Sequence, residues 1–182
     1  MISTKPLLAL LVALPLCGCA SVNALNDLMD VFSSGETAYV REGGAALRCG
    51  TADSGMRVQF FPELDGVRQW EQAHGMTLLK KAGGTYSYAL IEMGAQPTGG
   101  YGLVVSRKAE MDGDLLTLKA TVIQPQPDQA VSPRPTQPCS LIVLPQGDYT
   151  RVEVQDQNGQ VIATTLRPES AEPAPASADS TK

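Results

Sequence analysis

The stretch Gly102-Leu-Val-Val-Ser-Arg-Lys-Ala-Glu-Met-Asp-Gly-Asp-Leu-Leu-Thr-Leu-Lys-Ala-Thr-Val-Ile-Gln124 decides the fold. Past its middle, Leu116, Leu118, Ala120 and Val122 share one face of an extended chain, while Thr117, Lys119 and Thr121 share the other. A period of two with one apolar side is a strand that packs on a core and faces water behind. Met111-Asp112-Gly113-Asp114 returns the chain, because Gly113 can take the positive φ of a tight hairpin. The centre of the chain is therefore an antiparallel hairpin.

Downstream, Val152 and Val154 alternate with Arg151, Glu153 and Gln155, and Asn158-Gly159 marks a second hairpin into 160–165. Further strands are expected at 38–42, 56–61, 77–80, 87–93 and 140–144, between Gly-, Pro- and Asp-rich turns. One helix interrupts them. Pro62 suits a first helical position, Leu64, Val67, Trp70 and Ala73 share a face, and Gly75 closes the segment. Gly66 inside it costs about 1 kcal/mol relative to alanine. The expected class is α+β: a mainly antiparallel sheet with hairpins and one or two short helices, forming a single domain over 36–166.

Composition narrows the function. Fourteen Lys+Arg against nineteen Asp+Glu leave a net charge of −5, and no basic run interrupts the chain, so nucleic-acid binding is excluded. With one histidine, His74, there is no cluster for a metal and little to build a nucleophilic triad. No metal and no cofactor is expected.

The N-terminus carries an address. Lys5 precedes the apolar run Pro6 to Leu16, which is too short to span a bilayer permanently. Leu16-Cys17-Gly18-Cys19-Ala20 resembles the lipobox of bacterial lipoproteins, with Leu three residues before the modified cysteine and glycine immediately before it. This implies a lipoprotein signal peptide over 1–18 and acylation of Cys19, whose lipid chains hold the protein to a membrane. Ala20, not aspartate, follows the cysteine, which by the sorting rule of such proteins implies an outer-membrane anchor facing the periplasm.

Cys17 leaves with the signal and Cys19 carries lipid, so Cys49 and Cys139 are the remaining thiols in an oxidising compartment. A Cys49–Cys139 disulfide is expected; two buried free thiols are the alternative. Between anchor and domain, over 19–35, Val22, Leu25, Leu28, Met29 and Phe32 recur at helical spacing, a spacer helix or a partner-binding one. Residues 167–182 hold no aromatic or large aliphatic side chain and are expected to be a disordered tail.

Five prolines, Pro125, Pro127, Pro133, Pro135 and Pro138, rule out regular structure between Gln124 and the next strand. This is a crossover between strands, and its length also suits a surface presented to a partner. Catalytic patterns are lacking. Gly94, Gly99, Gly100 and Gly102 precede a strand, whereas phosphate-binding glycines precede a helix. Asp112 and Asp114 lack the spacing of a calcium loop, and Glu63, Asp65 and Glu71 frame no evident substrate.

Thr98-Gly-Gly-Tyr-Gly-Leu-Val-Val, the strand at 115–124, the proline crossover and Pro138-Cys-Ser-Leu-Ile-Val-Leu-Pro145 together resemble the C-terminal domain of protease-complex accessory subunits of the PrcB type. The resemblance covers about 86–154. It implies a small α+β domain on an exported lipoprotein that binds and stabilises a protease. Tyr101, Pro133, Pro135 and Pro138 are the candidate partner contacts. Two rival expectations stand beside it: an envelope enzyme using Cys139, with His74 as its base, or a carboxylate, and a small-molecule or glycan-binding lipoprotein using Trp70 and Tyr101.

Overall fold

The computed structural model describes residues 35–50, 55–80 and 84–168. The signal segment, Cys19, the expected helix at 22–32 and the tail at 169–182 lie outside the described residues. In chain order the elements are β1 (Glu36–Tyr39), β2 (Arg41–Ala46), β3 (Arg57–Phe61), α1 (Leu64–His74), β4 (Tyr88–Glu92), β5 (Gly102–Asp112), β6 (Leu115–Ile123), β7 (Cys139–Val143), β8 (Arg151–Gln155) and β9 (Val161–Leu166). The strands form two sheets, a five-stranded one ordered β1-β5-β6-β8-β9 and a four-stranded one ordered β2-β7-β4-β3. All pairings are antiparallel except β6 with β8, which is parallel.

The hairpin of β5 and β6 forms as the sequence requires, with Gly113 at φ 57°. Leu116, Leu118 and Ala120 are buried, and Lys119 and Thr121 are exposed on the wet side, but Thr117, expected beside them, is buried. Glu110 of β5 and Lys119 of β6 form an ion pair across that side. The last hairpin turns at Gly159, φ 76°, where the Asp156 carboxylate accepts the Asn158 and Gln160 N–H groups at 2.8 and 2.9 Å.

The dry faces of the two sheets pack on each other. Val58, Phe60, Ala89, Ile91 and Ile142 from the smaller sheet meet Ala109, Leu116, Leu118, Val152 and Val154 from the larger. A fully buried leucine or valine contributes about 1.5–3 kcal/mol relative to leaving it in water. The smaller sheet is covered behind as well: Tyr88, Leu90, Leu141 and Val143 pack with Val67 and Trp70 of α1 and with Leu78 and Leu79. Its inner strands β4 and β7 are consequently buried at every position. This explains the apolar runs at 88–91 and 141–143, since a strand covered on both faces loses the polar alternate; the buried polar residues of these strands are Glu92, paired with Arg57, and Ser140.

Several sequence expectations shift. The strand expected at 38–42 is two strands, because the chain changes sheets at Val40. The segment at 77–80 is not a strand. Glu71, 4% exposed, accepts the N–H groups of Leu78 and Leu79 at 2.6 and 2.7 Å and the Arg68 guanidinium at 2.6 Å, which fixes that segment as an irregular cover. On α1 the buried residues are Val67, Trp70 and Glu71; Ala73 is exposed. The helix begins after Glu63 as its cap, one residue beyond Pro62, and ends on Gly75 at φ 60°. Gly66 is suited to its place, because a β-carbon there would stand 3.2 Å from the Phe61 ring. Arg167, assigned to the tail, belongs to the fold: its N–H bonds the Thr150 carbonyl at 2.7 Å, and its guanidinium bonds the Gly147 carbonyl and lies 5.5 Å from the Tyr149 ring centroid.

Candidate partner-binding face

The proline crossover connects β6 of one sheet to β7 of the other. Its last residues are held on two sides. On one, Gln137 donates its N–H to the Leu47 carbonyl at 2.8 Å and accepts the Cys49 N–H at 3.0 Å, while its side-chain oxygen accepts the Gly50 N–H at 3.1 Å. On the other, Thr136 and Gln96 exchange both backbone hydrogen bonds, at 2.8 and 3.0 Å, and Met93 donates to the Pro138 carbonyl at 2.9 Å. Cys49 and Cys139 form a disulfide beside this ladder, with their Cα atoms 5.9 Å apart.

The glycine loop joins the same assembly. The Gly99 N–H donates to the Ser132 carbonyl at 2.9 Å, and the Thr136 hydroxyl donates to the Thr98 carbonyl at 2.8 Å. Gly100 has φ 85°, and a β-carbon there would stand 2.8 Å from Val131 and 3.1 Å from Pro125. This loop therefore needs glycine twice over, for its backbone conformation and for the closeness of the crossover. Tyr101 follows directly and is half-buried; Pro133 and Pro135 are exposed. A cleft of about 340 Å³ lies against the crossover, lined by Arg48, Ala95, Pro135, Thr136 and Gln137.

The structure thus gathers the Tyr101 loop and the proline segment, but Pro138 is buried at the start of β7 and presents no contact surface. The residues that fix this face, Gln96, Thr98, Thr136 and Gln137, carried no sequence signal apart from their position beside the prolines and glycines.

The rival readings do not find their residues assembled: Tyr101 belongs to this face, whereas Trp70 and His74 lie on α1. Cys139 is 2% exposed and bonded to Cys49, so it offers no thiol to His74. The His74 ring stacks on Trp70, centroids 4.2 Å apart, and its Nδ1 bonds the Trp70 carbonyl at 2.7 Å. Trp70 is itself 8% exposed within the core between helix and sheet, so it provides no platform for a sugar. Glu71 is occupied by three donors. Burial pushes its carboxyl up, but the N–H of Leu79, the Arg68 guanidinium and the N–H of Leu78 outweigh burial and hold it below its usual range. Among the described residues no group of His, Cys, Asp and Glu could hold a metal ion.

Comparison with curated proteins and with solved structures finds no match. A family model does match, over a segment that begins just before β4, takes in the glycine loop, the β5–β6 hairpin and the crossover, and ends just after β7: residues 87–145 are similar to the family described as PrcB C-terminal.

Proposed function

We propose that this chain is a non-catalytic accessory lipoprotein of the bacterial envelope, held by acyl chains on Cys19 to the periplasmic face of the outer membrane, that binds and stabilises a partner protein of the protease class. The observation that carries the reading is the joining, within the PrcB C-terminal segment, of the Tyr101 loop and the exposed prolines Pro133 and Pro135 into one hydrogen-bonded face. Prolines on such a face lose little conformational freedom on binding, because their φ is fixed beforehand. The anchor rests on the lipobox residues Leu16 to Cys19 and on Ala20.

The test is crosslinking in intact cells, followed by purification through the native chain and identification of what accompanies it. One dominant envelope protease is the expected product, lost when Tyr101, Pro133 and Pro135 are replaced together. Recovery of sorting machinery and abundant envelope proteins alone would overturn the reading.

A further inference from the structure

At Val40 the chain leaves the five-stranded sheet, and it leaves an edge behind. β1 pairs with β5 from Glu36 opposite Met111 to Tyr39 opposite Lys108, and the Val40 N–H still reaches the Arg107 carbonyl at 2.9 Å. The next residues enter β2, in the other sheet. β5 runs on to Gly102 with β6 on one side, and among the described residues no backbone pairs with its other side over 102–106. A register shift between Val105 and Ala109, with the Lys108 N–H donating to the Ser106 hydroxyl at 3.1 Å, marks the end of the covered part. Bulges of this kind commonly terminate pairing.

An open strand edge is a template for another strand unless it is covered or broken by proline, and 102–106 has neither protection. Beside it lies a cleft of about 550 Å³ between the diverging sheets, with Val40, Val105 and Ile142 along it and Arg41, Glu42 and Arg107 at its polar rim. Leu103 and Val105 pair with Val122 and Ala120 on the dry side of the sheet, so alternate residues of an added strand would point into that cleft. Both arginines are exposed, neither is in an ion pair with a described residue, and they outnumber the single acid. Arg41 also lies 6.0 Å from the Tyr86 ring centroid.

We infer that the free edge of β5 receives an extended segment of the partner protein as an added strand, apolar at alternate positions and acidic between them. The inference rests on the partner-binding reading and gives it a mode, since the open edge begins one residue after Tyr101. Backbone hydrogen bonds supply attachment, the cleft selects the apolar positions, and Arg41 and Arg107 select the charge.

The test uses the purified full chain and a fluorescein-labelled peptide, Val-Glu-Val-Asp-Val-Glu-Val, followed by anisotropy and amide hydrogen exchange. The peptide should bind at least about tenfold more tightly than its counterpart with lysine at the acidic positions, a difference of about 1.4 kcal/mol. Amides within 102–106 should gain protection, and Arg41→Glu with Arg107→Glu should weaken binding at least about tenfold at unchanged melting temperature. Equal binding by a peptide N-methylated at alternate residues, or protection confined to other strands, would overturn the inference. So would edge protection without peptide, whether it rises with protein concentration, which assigns the edge to a second copy, or vanishes when 169–182 are removed, which assigns it to the chain's own tail. A photoreactive residue at Ser106 and another at Pro133, each in cells, separates this failure from that of the parent reading. A protease adduct at Pro133 alone removes the added strand and keeps the partner; adducts at neither position remove both.

Discussion

Gly44 lies against the carbonyl of Leu78 so closely that a β-carbon on it would stand far inside van der Waals contact with the oxygen and 2.7 Å from the carbonyl carbon. The contact joins β2 to the irregular segment that covers the smaller sheet. Its neighbour Gly43 takes part, at the bulge where the β2–β7 register shifts, and its carbonyl accepts the Lys80 N–H at 3.5 Å. Backbone cannot yield as a flexible side chain can. Gly44→Ala is therefore expected to destabilise the domain by about 3 kcal/mol, the upper part of the range for overpacking. Urea unfolding measures this, and a loss below about 1 kcal/mol would mean that the segment at 78–80 moves aside freely.

The same cover depends on Glu71. Glu71→Ala removes the acceptor of the buried Leu78 and Leu79 N–H groups and should cost about 2–4 kcal/mol, as two donors lose their partner. The effect has a pH signature. Because Glu71 ionises more readily in the folded chain than at its ordinary value of 4.5, its contribution is complete above that value and fades as pH falls through the lower folded one. Comparing the wild type with Glu71→Gln from pH 7 to pH 3 isolates this part, since Asp156, also held low by the Gln160 N–H, is present in both. The stability gap between them should narrow below about pH 4.5; a gap that stays constant would show that charge on Glu71 contributes nothing.

Glu71 also shows where the sequence was legible and where it was not. Strands with one wet face announced themselves, as in Leu116, Leu118, Lys119 and Thr121, although Thr117, expected on the wet side, is buried. The two hairpins were equally plain, since Gly113 and Gly159 occupy turns that need positive φ. At 77–80 the apolar pair Leu78 and Leu79 looked like a strand, but a carboxylate on the preceding helix takes the backbone donors that a strand would use. The passage from one sheet to the other at Val40 left no mark either, because a strand continues with the same residue types whichever sheet it joins. At the candidate face, Tyr101 and the prolines could be read, while the bonds that tie them together are mostly between backbone groups, which carry no sequence signature, with the Thr136 hydroxyl and the Gln137 side chain added. Pro138 shows the limit of reading residue types: it resembles Pro133 in sequence and differs from it in burial.

The Cys49–Cys139 bond closes a span of 90 residues and stands at the end of the Gln137 ladder. Cys49→Ala with Cys139→Ala should lower stability by about 3–5 kcal/mol in the chain-entropy picture. Amide exchange should rise earliest at Cys49 (there alanine) and Gln137, whose hydrogen bonds flank the lost link. Uniform acceleration across both sheets, with no preference for this ladder, would mean that the bond acts on the unfolded chain alone.

Exposure separates the candidate contacts into two kinds, and the separation can be measured. Pro133 and Pro135 face solvent and Tyr101 is half-buried, so Pro133→Ser, Pro135→Ser and Tyr101→Ser should leave unfolding stability within about 1 kcal/mol while partner recovery falls severalfold. Pro138 is buried, and its carbonyl is what Met93 bonds, so Pro138→Ala should act in the opposite sense. It opens space at the head of β7 and should cost about 1–2 kcal/mol while leaving recovery at saturating partner nearly intact. If Pro138→Ala abolished recovery at unchanged stability, the contact surface would have to include the start of β7, and the crossover would have to lift from Gln96 and Leu47 on binding. If the three exposed substitutions changed neither stability nor recovery, the joined face would be architecture alone and the partner would have to dock on another part of the sandwich.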